Sequence, residues 1–364
     1  MTSQRLFAIA VLAAAAFVPT QAQAQAQAQA CAHRGALDDI YCDANNDLVA
    51  DTPTDAARLR DPSTLVFAYT PVEDPALYAQ QFRPLTDFLT QCTGRRTVYF
   101  QVTSNAAQVE AMRSGRLHIA GFSTGPTAFA VNLAGAVPFA VKGNAQGYER
   151  YTVAVIVRAD SPFRTLADLK GRRVAHTSAT SNSGNLAPSA FFPDQGLVPD
   201  TDYRVVFSGG HDRSVMGVNS GDYDGAPVAS DVFRRMIARG QVRAEAFRTI
   251  WESPPFPTSS FALAHDLRPD LAERIRNCFF QFRFPEQMAR DLGGNDRFVA
   301  ATYQRDWEPV RFVADKVNAP YNRAAFDTES RREQEAEARR AQQRQQQQQQ
   351  QAPAAPGQAP ARAP

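Results

Sequence analysis

The sequence predicts an α/β fold, and three features of its central part favour this class. Short apolar runs rich in β-branched residues recur from Leu65 onwards, and amphipathic helical patterns separate most of them. Polar turns that contain glycine follow several of the runs. Strands that alternate with helices along a chain usually pair in parallel. We therefore expect parallel sheets with helices packed on their faces.

The individual elements follow from the spacing of apolar residues and from the turn residues between them. The predicted strands are Leu65–Tyr69, Thr97–Val102, Leu117–Phe122, Tyr151–Val157 and Arg173–His176. The predicted helices are Leu77–Gln91, Ala106–Ser114, Thr165–Leu169, a helix that continues through Leu186–Phe192, and one that begins at His211.

Residues 1–30 have the organisation of a secretory signal peptide. Arg5 provides a positive start, Leu6–Val18 is apolar but too short to span a bilayer, and Ala22–Ala24 begins a run of A-x-A cleavage options. We therefore expect export to the periplasm. Lipid attachment at Cys31 is the alternative, although Ala28–Ala30 lacks the leucine expected at the start of a lipoprotein motif.

The four cysteines are an even number, which suits an oxidising compartment. Four cysteines allow three pairings. We expect Cys31 to pair with its near neighbour Cys42, which leaves Cys92 for Cys278. A zinc site is the alternative, but no two cysteines have the C-x-x-C spacing typical of such sites.

Composition divides the mature chain into three parts. A leader stapled by the first two cysteines covers 31–51, a dense globular region extends to Phe326, and a tail of different composition covers 327–364. Within the tail, Glu329–Arg344 is charged and compatible with a helix, whereas Gln345–Pro364 is rich in Gln, Pro and Ala and predicts disorder. The net charge of only +2 gives no support for a nucleic-acid partner.

One segment of the leader resembles a calcium loop in its spacing. Asp43, Asn45, Asp47 and Asp51 stand where such loops place oxygen ligands. The glycine of the sharp turn and the bidentate glutamate that closes the loop are missing. We expect a polar surface loop, with calcium binding as the alternative.

Three turns after predicted strands are rich in hydroxyl and glycine residues: Phe122–Pro126, which includes Thr124, Thr177–Gly184 and Ser208–Asp212. The amides at the start of a helix are unpaired, and the helix dipole favours an anion there. Ser181–Gly184 therefore predicts an anion cradle, and His211 begins the next such helix. No lysine follows the glycine and no G-x-G-x-x-G occurs, so neither nucleotide chemistry nor a cofactor is implied.

Several motifs in order resemble the phosphate, phosphite and phosphonate-binding proteins of ABC importers. The resemblance extends from Leu65 to about Val317 and depends on six segments, which are Thr70–Asp74, Gln108–Arg113, Ser181–Gly184 with a proline-containing helix, Gly210–Ser214, Asp222–Asp224 and Ile250–Pro254.

This resemblance implies a two-lobed periplasmic binding protein fold of type II, with the ligand in the cleft between two α/β lobes. Lobe one would cover 51–149 and 251–326, and lobe two 150–250. The implied function is capture of a phosphonate, phosphite or phosphate without catalysis, a metal or a cofactor. The implied partner is the ABC permease in the inner membrane, which would recognise the closed clamp.

The resemblance also implies roles for single residues. Ser181, Asn182 and Ser183 match a three-residue grip on the phosphonate oxygens, in the turn that Gly184 completes. Asn182 stands where the family usually has threonine, and its amide could still donate. His211 matches the family's oxyanion histidine, and Tyr151 matches a tyrosine at the edge of the cleft.

The end of the site that would hold the organic substituent departs from the family. Asp231 replaces a glutamate that pairs with the amine of an aminophosphonate, so the carboxylate is kept but shortened. Ser259 lies near the place of another carboxylate, and Asn105 near that of another tyrosine. Recognition of an aminoalkyl group is therefore in doubt.

Two other functions compete with transport. Ser183, His211 and Asp231 could form the nucleophilic triad of a hydrolase, although the G-x-S-x-G turn is absent. Alternatively, the clamp could report its ligand to a membrane receptor, with the charged and glutamine-rich tail as a docking arm.

Overall fold

The structure, a computed structural model, describes residues 31–318 and 320–351. The predicted signal peptide and the last thirteen residues, 352–364, lie outside these ranges. None of the helices in the described ranges combines the length and apolarity needed to cross a membrane.

The larger of two groups of elements is built on a seven-stranded sheet, and we call this group the large lobe. Its strand order is β14-β4-β13-β3-β1-β2, with β5 paired to β4. The strands are β1 (Thr64–Tyr69), β2 (Arg96–Tyr99), β3 (Ile119–Phe122), β4 (Ala136–Asn144), β5 (Gly147–Tyr148), β13 (Ser260–Ala264) and β14 (Arg297–Ala300).

The second group, which we call the small lobe, has a three-stranded sheet of order β10-β7-β11 and a β8-β9 pair. Its strands are β7 (Val153–Arg158), β8 (Arg173–His176), β9 (Arg204–Phe207), β10 (Ala226–Ala229) and β11 (Phe247–Glu252). The chain passes between the lobes near β6 (Arg150–Tyr151) and β12 (Phe256–Pro257), which pair with each other. The exact boundaries of the lobes in sequence stay a prediction.

Helices cover both lobes. In the large lobe they are α1 (Ala76–Gln81), α2 (Arg83–Thr93), α3 (Asn105–Arg113), α4 (Thr124–Ala134), α8 (Pro269–Gln281), α9 (Glu286–Asp291), α10 (Tyr303–Asp306) and α11 (Glu308–Lys316). In the small lobe they are α5 (Ala187–Phe191), α6 (His211–Ser220) and α7 (Ser230–Ala238). A final helix, α12 (Arg323–Gln351), follows.

The α/β class is confirmed, but the expectation of parallel sheets is only partly right. Strand β1 pairs in parallel with β2 and β3, and β8 pairs in parallel with β9. All pairs that involve β4, β7 or β13 are antiparallel. The two antiparallel pairs of β13 have a long-range cause: the chain returns from the small lobe and inserts β13 between β3 and β4. Local alternation of strand and helix contains no information about such a return.

Two helix predictions need correction. The predicted helix Leu77–Gln91 is two helices, because Phe82 turns inward and Pro84 opens the second one. Proline suits a first turn, where its missing N–H is no loss. The predicted tail helix continues past Arg344 to Gln351, since glutamine is itself a good helix former.

The leader packs on the large lobe. The carboxylates of its acidic loop accept hydrogen bonds from backbone N–H groups of the same loop. The Asp43 carboxylate is buried and accepts the N–H groups of Asp47 and Leu48. Asp51 accepts the N–H of Ala44, and Asp47 accepts that of Val49. Across the described residues, no group of three or more His, Cys, Asp or Glu side chains is arranged to hold a metal.

Both predicted disulfides are present. Cys31 pairs with Cys42, and Cys92 of α2 pairs with Cys278 of α8. These bonds span 11 and 186 residues of sequence, respectively.

We expect the longer disulfide to contribute more to stability. In the chain-entropy model, closing the longer loop stabilises the fold by about 5 kcal/mol and closing the shorter loop by about 3 kcal/mol. Urea unfolding of the Cys92→Ser/Cys278→Ser and Cys31→Ser/Cys42→Ser variants measures both values. A larger loss in the leader variant would contradict this prediction.

Candidate functional site

A small cavity lies between the two lobes. It has a volume of about 40 Å³, enough for about three or four water-sized groups. The large lobe, β6 and the segment before β13 contribute Tyr69, Val72, Ser123, Thr124, Tyr151, Thr258 and Ser259. The small lobe contributes Ser181, Asn182, Ser183, His211, Ala229, Asp231, Val232 and Arg235.

The predicted anion cradle forms one wall of this cavity. After β8, the chain turns at Ser181, whose hydroxyl accepts the N–H of Gly184 at 3.1 Å and so begins a helical turn over Asn182–Leu186. Within the described chain, the N–H groups of Asn182 and Ser183 have no acceptor. They lie at the positive end of the turn, so they are available to an anion.

Gly184 supports the cradle without lining the cavity. A Cβ atom at this position would lie 1.8 Å from the Thr177 hydroxyl. Only glycine allows the turn to pack this closely against the strand end.

His211 begins helix α6, as predicted, and its ring forms the next part of the wall. Its Nδ1 accepts the N–H of Ala229 at 3.3 Å, so the proton of the neutral ring lies on Nε2. Nε2 in turn lies 3.2 Å from the Ser183 hydroxyl. Burial lowers the pKa of His211 to about 4, although Asp231 and Glu73 oppose this effect. The imidazole is thus a neutral donor.

Two hydroxyl groups complete the polar wall. Tyr151 Oη accepts from the Asn182 amide at 3.0 Å, and burial raises its pKa to about 12. The phenol therefore keeps its proton and can donate it to a ligand. Thr124 lies at the start of α4, directly after β3, and its hydroxyl donates to the Pro257 carbonyl at 2.9 Å.

Asn105 was predicted to contact the ligand, but it does not line the cavity. Its amide donates to the hydroxyls of Ser178 and Thr180, at 3.2 and 3.1 Å, and accepts from Thr70 at 2.8 Å. Asn105 thus connects the large lobe to the small lobe. Gly125 lies at the same contact, where a Cβ atom would be 2.4 Å from the Thr180 carbonyl oxygen.

The remaining wall contains a network of buried charges. Arg235 donates to Asp231 at 2.7 Å and to Glu73 of the large lobe at 2.6 Å. Arg239 donates to the other oxygen of Glu73 at 2.6 Å. Burial alone would raise the pKa of Asp231, but Arg235 and the nearby Lys142 lower it to about 2.

Sequence reasoning found Asp231 but missed its partners. Lys142 is buried, pairs with Glu149, and lies 4.0 Å from Asp231. Arg235 stands four residues after Asp231, a spacing that usually indicates an exposed pair on a helix. Glu73 lies inside the Thr70–Asp74 segment of the family resemblance, and this segment was the one sequence feature that could have placed Glu73 near the site.

Comparison with known proteins identifies the family of this chain. A sequence profile of the family described as "ABC transporter, phosphonate, periplasmic substrate-binding protein" matches residues 67–307, about two thirds of the chain. The phosphate-import protein PhnD of Mycolicibacterium smegmatis is 29% identical over 248 residues, which cover 64% of this chain and 76% of that protein.

Two solved structures share the fold. PhnD1 from Prochlorococcus marinus, solved in complex with methylphosphonate, has a TM-score of 0.64 at 17% identity and covers 71% of this chain and 100% of its own. A binding protein component of an ABC phosphonate transporter from Pseudomonas aeruginosa has a TM-score of 0.64 at 20% identity, with coverages of 78% and 100%.

The two-lobed fold, the order of the motifs and the profile match therefore agree. This chain belongs to the family of periplasmic substrate-binding proteins of phosphonate ABC transporters.

Proposed function

We propose that this protein is the extracytoplasmic component of an ABC importer that captures a phosphonate, phosphite or phosphate and presents it to an inner-membrane permease. One observation carries this proposal. Donors at two helix starts of the small lobe, together with that of Tyr151, converge on one cavity, which Thr124 also lines. The ligands named for the relative and for the solved neighbour, phosphate and methylphosphonate, support the same chemical class.

The donors present are sufficient for useful affinity. Hydrogen bonds to a charged group contribute about 1.5–3 kcal/mol each. Five or six of them can give micromolar binding, which corresponds to about 8 kcal/mol, after the costs of association. The cradle amides, the hydroxyls and the His211 ring provide that number without a metal.

The geometry argues against the hydrolase alternative. Ser183 and His211 are adjacent, as a triad requires, but no carboxylate accepts from His211 Nδ1. Because Nδ1 accepts the Ala229 N–H, Nε2 already has its proton and cannot take one from the serine. Asp231, the third member, is bound to Arg235. The arrangement suits donation to a bound anion.

Titration calorimetry with phosphate, phosphite and methylphosphonate tests the proposal. We expect at least one of them to bind in the micromolar range or tighter. The His211→Ala variant should bind at least tenfold more weakly, because it loses the neutral Nε2 donor. His265→Ala, which changes a histidine outside the cavity, is the control. Absence of binding by all three anions to folded protein would refute the proposed function.

The pKa of His211 predicts a pH dependence of stability. The ring titrates near 6.5 when unfolded and near 4 when folded, so its contribution to stability is complete above pH 6.5 and is lost as the pH falls towards 4. At pH 5 the loss is about 2 kcal/mol. Urea unfolding of ligand-free protein at pH 7.5 and 5.0 should show a smaller loss for His211→Gln. Equal losses in both proteins would contradict the burial of a neutral ring.

Closure of the lobes should depend on Glu73. The Glu73→Gln variant removes the charge that Arg235 and Arg239 share across the cleft. We expect weaker ligand binding, by about tenfold, and a larger radius of gyration in small-angle scattering. Asp74→Asn is the matched control, since Asp74 is exposed and asparagine can still cap the Ala76 N–H. Equal effects of the two substitutions would show that the cross-lobe ion pairs do not hold the closed form.

A further inference from the structure

The cavity has two chemically different walls. The cradle, His211 and Tyr151 present donors that suit oxygens bearing negative charge, and Thr124 also lines the cavity. The second wall is formed by Val72 and Val232, by the ion pair of Asp231 with Arg235, and by the Tyr69 and Ser259 hydroxyls, which hydrogen-bond to each other. The fourth substituent of a tetrahedral phosphorus anion would face this second wall.

Arg235 is the fixed element of the second wall. Its side chain is only 8% exposed, and its two carboxylate partners are 9% and 3% exposed. The guanidinium donates through Nη1 to Asp231 and through Nε and Nη2 to the same oxygen of Glu73. Donation from three nitrogens to partners on two lobes holds the planar group in one orientation.

This pairing removes Asp231 as a partner for a cationic ligand. An ammonium group that enters the pocket loses its hydration and needs a free carboxylate in return. Asp231 already has Arg235 at 2.7 Å and the buried Lys142 at 4.0 Å. A third cation beside one carboxylate would meet repulsion from both of these groups.

The size of the cavity also favours a ligand with a small fourth substituent. The cavity of about 40 Å³ accommodates about three or four water-sized groups, as many as the oxygens and one small substituent of a tetrahedral anion. Val72 and Val232 provide apolar surface beside that position. A hydrogen, a hydroxyl or a methyl group fits this volume, whereas a longer chain exceeds it.

We infer that Arg235 is the specificity-determining residue of this pocket. By holding Asp231 in a buried ion pair, it excludes phosphonates with an amino group and restricts the ligands to small anions such as phosphate, phosphite and methylphosphonate. The inference rests on the proposed function, because it assumes that the polar wall binds a phosphorus oxyanion.

Calorimetry with two ligands of equal chain length separates the effect of the ligand's charge from the effect of its size. Propylphosphonate and 2-aminoethylphosphonate have chains of equal length, but only the second has an ammonium group. We expect methylphosphonate to bind at least a hundredfold more tightly than 2-aminoethylphosphonate, and propylphosphonate to lie between them. Equal affinity for methylphosphonate and 2-aminoethylphosphonate would overturn the inference while leaving the proposed function intact. Failure of every phosphorus anion to bind would overturn both.

Substitution of Arg235 tests its role directly. In Arg235→Gln, Asp231 loses its main partner, so the affinity for 2-aminoethylphosphonate relative to propylphosphonate should rise at least tenfold. Arg234→Gln is the matched control, because Arg234 is the exposed neighbour on the same helix. An unchanged ratio in Arg235→Gln would overturn the inference.

A second variant covers the case in which Arg235→Gln does not fold. Glu73→Gln/Arg235→Gln removes the Glu73 charge, which would otherwise keep only Arg239 as a partner, together with the arginine, and still leaves Asp231 without Arg235. The same rise in the ratio is expected, and an unchanged ratio would again overturn the inference.

Discussion

The buried ion pairs around Arg235 are the constraint on which the site depends. Burying a charge is costly unless it is paired and hydrogen-bonded, and here three cations and three carboxylates balance. The large-lobe side contributes Glu73, Glu149 and Lys142, with a net charge of −1. The small lobe contributes Asp231, Arg235 and Arg239, with a net charge of +1, all from one helix and its C-terminal end. Charge balance is complete only when the lobes are together, so closure and the shape of the pocket depend on the same contacts.

Much of the polar wall could be predicted from the sequence, because it depends on local structure. Ser181, Asn182, Ser183, Thr124 and His211 all lie where a strand ends and a helix begins, and such positions are visible as short patterns. The resemblance to a family then indicated that these separate turns share one ligand. Sequence reasoning was weaker wherever a residue's partner lies far away in the chain.

Arg235 and Asn105 illustrate that limit. Nothing local distinguishes Arg235 from the exposed Arg234 beside it, because its burial depends on Glu73, which lies 162 residues earlier. Asn105 was placed in the site because of its position in the family pattern, but the structure uses its amide between the lobes. The same reason explains the antiparallel pairs of β13, because its insertion between β3 and β4 is a property of the returning chain.

The histidine shows how small differences in hydrogen bonding separate binding from catalysis. A serine, a histidine and an aspartate lie within one pocket, and their residue types alone are compatible with a hydrolase. The Ala229 N–H fixes the tautomer of His211, and Arg235 occupies Asp231, so no carboxylate orients the ring as a base. The proton on Nε2 is held towards the cradle by contacts within the protein itself. Preorganised donors of this kind lower the cost of ordering on binding, which suits a protein that must hold its ligand unchanged until release.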